Sequence, residues 1–354
     1  SVVLTTTKEV RLVRLDRTGS VRSDQPFVDP DAANDPFFDY DGGLKDASAL
    51  QPPLMHDAAR IVPLGENLAL VLRTGLNAVV SYRLDLDASG KYRRAWRTLI
   101  EPGSSILGIG ITSGTFDVFG QLDNHLRVHL DSDATGTLAV GVVQVPHSNE
   151  TFRAHAEYFG EPIAASVGVL LTRVDSADGR RTGTTVIDTK QLAELHGLRA
   201  TTGGFALVGR VLSEVRPDGT GWNAFTTFVG RDGVAGPFSV LDVDQGDVVF
   251  DIAALPSGRY LALGTTGYVQ NPSGASISES ALPLLVLLNA DGSLSRNVGF
   301  PAGPRHNQLT TITSLNGQWL LGGMVNGPGT HSGDSQPELI VADGFVREAV
   351  DMPE

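Results

Sequence analysis

One short turn recurs along this chain and narrows what the chain can become. It follows an apolar run, carries Asp or Asn with Gly close behind, and opens into a second run. It stands at VRLVRLDRTGSV (Asp16, Gly19), YRLDLDASGKY (Asp87, Gly90), RVHLDSDATGTL (Asp133, Gly136) and LLTRVDSADGRR (Asp178, Gly179). It returns at TTFVGRDGVAG (Asp232, Gly233), VLLNADGSL (Asp291, Gly292) and LIVADGFV (Asp343, Gly344). Gly supplies the positive φ and Asp the side-chain acceptor that tight hairpins need. About seven copies at near-regular spacing fall in the range of propeller repeats.

A second hairpin alternates with the first. It reads AARIVPLGENLALV (Ala58 to Val71), ILGIGITSGTFDVFG (Ile106 to Gly120), LRATTGGFALVG (Leu198 to Gly209) and LTTITSLNGQWLLGG (Leu309 to Gly323). The stretch Asp251 to Gly264 adds a fifth copy, and spacing alone places a degenerate sixth between Thr151 and Leu170. Two hairpins per repeat make a four-stranded meander with strands a, b, c and d. The expected fold is therefore all-β: a seven-bladed β-propeller of four-stranded antiparallel blades, or six blades if the 105–190 region is miscounted. Only Ser1 to Thr7 precedes the first c–d hairpin, so the first blade is expected to have three strands or to borrow one. The chain is expected to form one propeller domain over residues 1–354 and to be a piece of a larger exported protein.

The segment Asp29 to Pro53, DPDAANDPFFDYDGGLKDASALQPP, breaks the pattern. A loop of this length within a compact domain is usually functional or disordered. Shorter excursions stand at Pro146 to Thr151, Tyr268 to Ser280 and Asn326 to Gln336.

The formal charge of −13 argues against a nucleic-acid partner, because phosphate binding needs a concentrated basic surface. The nearest basic cluster, Lys91 to Arg97, reads as a solvated strand. With no cysteine, disulfides, thiol catalysis and thiolate metal sites are excluded. The longest apolar run, Ala281 to Ala290, is about half a membrane-spanning helix and fits a buried strand, so no membrane insertion is expected.

The phrase IAALPSGRYLALG followed by LLVLLNADGSLSRNVGF resembles the bacterial delta-60 type propeller repeat. The likeness is close over 249–300, fair over 307–344 and loose elsewhere. It implies a fold and no catalytic residue. It also implies an extracellular, cell-surface or periplasmic setting and a binding or spacer role.

Chemistry in a propeller concentrates at the mouth of the central channel, on the loops that enter strand a. His56, His155, His196 and His306 stand near those entries, with Asp251 close by, and could converge on a divalent metal or a substrate. Their registers differ, which favours channel-lining polar residues over a site. The acidic insertion offers Asp29, Asp31, Asp35, Asp39 and Asp41 as possible calcium ligands, although the spacing is not that of an EF-hand. Phe37, Phe38, Tyr40 and the loop residue Trp222 are candidate contacts for a protein or glycan partner. GxSxG, HExxH and strand–helix phosphate loops are absent from the sequence.

Two readings follow. The first is a non-enzymatic binding or scaffold module that recognises a protein or glycan through one face. The alternative is a hydrolase or lyase with a His/Asp site at the channel mouth.

Overall fold

In the computed structural model, the structure describes residues 2–5, 10–16, 18–38, 44–45, 59–73, 78–104, 128–144, 150–165, 167–214, 221–243, 246–267, 282–298, 306–315, 318–325 and 336–341. The chain divides into two compact units, Ser1–Phe116 with Leu122–Lys190, and Asp117–Gln121 with Gln191–Glu354.

The first unit begins with a three-stranded meander of β1 (Val2–Thr5), β2 (Val10–Leu15) and β3 (Val21–Phe27). The insertion follows with β4 (Phe37–Phe38) and β5 (Leu44–Lys45). A four-stranded meander comes next: β6 (Ala59–Leu64), β7 (Asn67–Arg73), β8 (Val79–Leu86) and β9 (Tyr92–Glu101). The short β10 (Gly103–Ser104) pairs in parallel with β4. The unit closes with β11 (His129–Ser132), β12 (Thr137–Gln144), the helix α1 (Glu150–Phe159), β13 (Gly168–Asp175) and β14 (Arg181–Asp188).

The second unit holds two four-stranded meanders. One is β15 (Ala193–Thr201), β16 (Gly204–Leu212), β17 (Trp222–Gly230) and β18 (Ser239–Leu241). The other is β19 (Val248–Ala254), β20 (Tyr260–Thr266), β21 (Leu282–Leu288) and β22 (Leu294–Asn297). A third sheet contains β23 (His306–Leu315), β24 (Gln318–Val325) and β25 (Gln336–Val341).

The fold is thus all-β and of the β-propeller class, built of antiparallel blades in sequence order. The apolar run in β21 shows why both faces of a blade must be covered. Leu284, Val286 and Leu288 enter a core with Val208 and Ala224 of the preceding sheet, while Leu285 and Leu287 enter another with Leu309 and Ile312 of the following one. Side chains alternate along a strand, so a continuous apolar run serves two neighbouring sheets. Each fully buried leucine contributes about 1.5–3 kcal/mol. In the first unit, Val71, Val79 and Ile100 likewise pack on Leu138, Val140 and Leu170 of the next sheet.

The recurring turn has a common physical cause. Asp16, Asp87 and Asp133 each use Oδ1 to accept the backbone N–H groups two and four residues ahead, together with the intervening hydroxyl. Gly19, Gly90 and Gly136 then take φ of 82°, 78° and 86°, the left-handed region that closes the turn.

Two strand assignments are corrected. The Asp133 turn joins β11 to β12, the first two strands of a sheet whose last two meet at the Asp178–Gly179 turn. These two turns were counted as belonging to separate blades. Among the described residues there are six meander sheets. The degenerate hairpin expected between Thr151 and Leu170 is in fact α1 and the chain leading into β13. The hairpin expected at Ile106 to Gly120 and the turn at Asp343 lie outside the described residues.

Candidate active site

The helix that interrupts the β pattern carries the most concentrated chemistry in the first unit. In ETFRAHAEYF, Phe152, His155 and Phe159 recur at steps of three and four, which places them on one helical face. Phe152, Ala154 and His155 are buried. Gly160, at φ 68°, donates its N–H to the Ala156 carbonyl at 2.9 Å and ends the helix in the left-handed conformation. The helix packs on β10 and on the end of β9.

That end of β9 is Glu101. Val79 stands between Glu101 on one side and Arg73, the last residue of β7, on the other. Two buried charges therefore flank one position at the rim of a sheet, and α1 brings a third group to them. His155 Nδ1 lies 2.9 and 2.8 Å from Oε1 and Oε2 of Glu101, and Nε2 lies 2.8 Å from Oε2 of Glu161. Arg181, the first residue of β14, donates from Nη2 to Glu161 Oε2 at 3.2 Å and to Thr184 Oγ1 at 2.8 Å. Its guanidinium carbon lies 3.5 Å from the Phe159 ring centroid. The Glu101 and His155 side chains are 1% and 0% exposed, whereas Glu161 is 41% exposed. The array runs from a dry interior to solvent.

Its electrostatics follow from that gradient. Burial pushes the Glu101 carboxyl up, against the opposing pull of His155, Arg181 and Arg73. Burial also disfavours a charged His155, but hydrogen bonds and charge from Glu101 and the hydrogen bond from Glu161 outweigh it and hold the ring above its ordinary value. Glu161 feels burial too, yet His155 and Arg181 keep it below the usual carboxylate range. Burial brings Arg73 down to about 10 in spite of Glu101. The arrangement favours the ionised form of the solvent-reaching Glu161 and the protonated form of the ring behind it. Perturbed, mutually bonded titratable groups of this kind cluster at functional sites.

The residues singled out from the sequence fall elsewhere, with one exception. His155 belongs to the site, but it arrives on a helix instead of at the entry to a strand. His196 lies in the second unit on β15, its Nε2 3.2 Å from Glu194 Oε2 and its ring against Phe250. Asp251 accepts both hydrogen bonds of a forked Arg199 contact at 2.7 and 2.6 Å, and also bonds Thr311 Oγ1 and the Ile312 N–H. It joins β15, β19 and β23, so its oxygens are engaged in holding sheets together. His306 opens β23; its side chain and all of His56 lie outside the described residues.

Three proposed contact residues are corrected. Trp222 is 3% exposed, because it begins β17 and its ring lies over Arg210 at 4.3 Å. Phe37 and Phe38 are 8% and 7% exposed, since β4 is paired on both sides by β5 and β10. Tyr40, Asp39 and Asp41 lie outside the described residues.

In the acidic insertion, Asp29 accepts from Tyr82 Oη, Arg94 Nη1 and Arg97 Nε at 2.7, 2.9 and 2.8 Å. Asp35 takes both contacts of Arg97 Nη2, and Asp31 pairs with Arg94. Arginines from the basic strand occupy Asp29, Asp31 and Asp35, the described members of the set considered for calcium. Among the described residues, no group of three or more His, Asp or Glu side chains is arranged to hold a metal ion.

Glu101, Glu161, Arg73 and Arg181 went unnoticed in the sequence. The available signal was the helical spacing of Phe152, His155 and Phe159 before Gly160. It marks His155 as inward-facing and Glu161 as the residue just past the cap.

No protein-family model and no curated protein matches the chain. Solved structures do. An exo-1,5-α-L-arabinanase from a bovine ruminal metagenomic library matches with 9% identity and a TM-score of 0.37, over 82% of this chain and 92% of that one. A Penicillium chrysogenum α-L-arabinanase complexed with arabinobiose gives 12% identity and 0.36, over 76% and 80%. The Pyrococcus horikoshii acylaminoacyl peptidase gives 10% and 0.41, over 96% of this chain and 42% of its own. All three are named as hydrolytic enzymes. The expectation of a non-enzymatic binding or scaffold module is corrected on that finding, since the neighbours are all named as enzymes. Likeness this remote transfers no residue, substrate or reaction.

Proposed function

We propose that the chain is a hydrolase that uses Glu161 as a general base on water, with His155 and Glu101 behind it. The observation that carries this reading is the imidazole held at 2.8 Å between a buried carboxylate and a solvent-reaching one. An ionised Glu161 can take a proton from a water poised against an electrophilic carbon, the usual requirement of base-assisted hydrolysis. Once Glu161 is protonated, the ring's Nδ1 proton can pass to Glu101, whose burial raises its proton affinity. Positive charge then does not accumulate in the dry interior.

Glycosides are the first substrate class to test. Tyr158 is 48% exposed and stands edge-on to Phe159 at 5.0 Å, so an amphipathic ring is presented beside the helix end that precedes Glu161. The exported setting implied by the repeat resemblance belongs to the same proposal. The test is turnover of a panel of nitrophenyl glycosides, including α-L-arabinofuranosides, with nitrophenyl esters and aminoacyl nitroanilides alongside. Turnover by the wild type that Glu161→Ala loses supports the reading. A panel untouched by the wild type, or turned over equally by Glu161→Ala, counts against it.

A further inference from the structure

We infer that Arg181 is a positioning residue of this site, a fixed positive charge stacked on Phe159 that orients the Glu161 carboxylate against His155. The inference rests on the proposed hydrolytic role of Glu161 and deepens it. Three features of the geometry carry it. The guanidinium carbon sits over the Phe159 ring, 3.5 Å from its centroid. One nitrogen, Nη2, reaches both Glu161 Oε2 and Thr184 Oγ1. The same Oε2 receives His155 Nε2, so the guanidinium and the ring converge on one carboxylate oxygen and fix its direction. Stacking a planar guanidinium on an aromatic face while one of its nitrogens bonds two oxygens is a contact that Lys does not reproduce.

Among the described residues, the charged groups that act on Glu161 are His155 of α1 and Arg181 of β14, while Glu101 of β9 and Arg73 of β7 stand beyond the ring, on its Nδ1 side. Arg181 therefore acts in two directions at once. It favours the ionised form of Glu161, and by like-charge repulsion it restrains the protonation of His155.

That pairing separates positioning from mere structural support. In Arg181→Leu, titration of labelled His155 by NMR should move upward by about one pH unit, because a repelling charge within hydrogen-bond range of its partner is gone. The acidic limb of kcat/KM should also move upward by about one pH unit, as Glu161 loses a cation. Arg181→Lys, which keeps the charge but not the stack, should restore most of the titration shift and leave kcat below the wild type. If His155 instead falls to its ordinary value in Arg181→Leu, the residue only keeps water out of the cluster, and the inference is overturned. An unchanged His155 titration in both variants overturns it as well. The titration needs no turnover, so it stands or fails apart from the hydrolase reading. A shifted titration without any substrate found would defeat only that reading.

Discussion

Glu194 and Arg210 face each other directly across β15 and β16, joined by two hydrogen bonds of 2.8 and 2.9 Å with both side chains out of reach of solvent. The guanidinium carbon also lies 4.3 Å from the Trp222 ring. Burial works against the Glu194 carboxylate, but Arg210 and His196 hold it far below the usual carboxylate range.

Removing one member of that pair strands the other charge in a dry core. Arg210→Met is expected to cost about 3–5 kcal/mol, measured by denaturant unfolding. Replacing both, as Glu194→Leu with Arg210→Met, should recover most of the loss, since well-packed apolar groups often substitute for a buried pair at little cost. A double variant as unstable as the single one would show that the pair is worth more than its desolvation.

Asp251 ties three strands of the second unit through Arg199, Thr311 and the Ile312 N–H. Asp251→Ala leaves a buried N–H and a hydroxyl without their acceptor and is expected to lose about 2–3 kcal/mol. Thermal unfolding checks this. A loss near zero would mean that water takes over the role of the carboxylate.

The Glu101–His155–Glu161 array makes stability depend on pH with a defined sign. His155 is raised above its ordinary 6.5, so its contribution is complete below that value and is lost as pH rises through the folded-state pKa. Glu101, raised above 4.5, acts in the same direction. Glu161, lowered below 4.5, contributes above that value and loses its contribution as pH falls through its folded-state pKa. The His155 and Glu161 contributions therefore overlap fully between their ordinary values, 4.5 and 6.5, while that of Glu101 is already declining as pH rises above 4.5. Melting temperatures of wild type and His155→Gln from about pH 5 to about pH 9 measure it. The gap between them should be widest at the acidic end and narrow towards the alkaline end.

Much of the architecture was legible because strand and turn chemistry is local. The alternation in Asp251 to Gly264 and the Asp-to-Gly turns dictate hairpins by themselves, and β19, β20 and β21 form where the pattern places them. The Asp133 turn was assigned to the wrong end of its sheet because the same chemistry serves either hairpin of a blade. Only pairing across the chain decides between them. The site was less legible for a related reason. His155 meets Glu101 over a separation of 54 residues, fixed by the docking of α1 and not by any local motif. Trp222 seemed exposed from its Gly-rich flank, yet strand pairing turned it onto Arg210.

The most direct measurement is kcat/KM of Glu161→Gln against wild type on whichever glycoside, ester or amide the wild type turns over. Gln keeps the size of the side chain and removes the base. A fall of about 10²–10⁴-fold, with an unchanged melting temperature and a smaller fall in His155→Gln, is the expected result. Wild-type activity in Glu161→Gln would contradict the assignment of Glu161 as the working carboxylate.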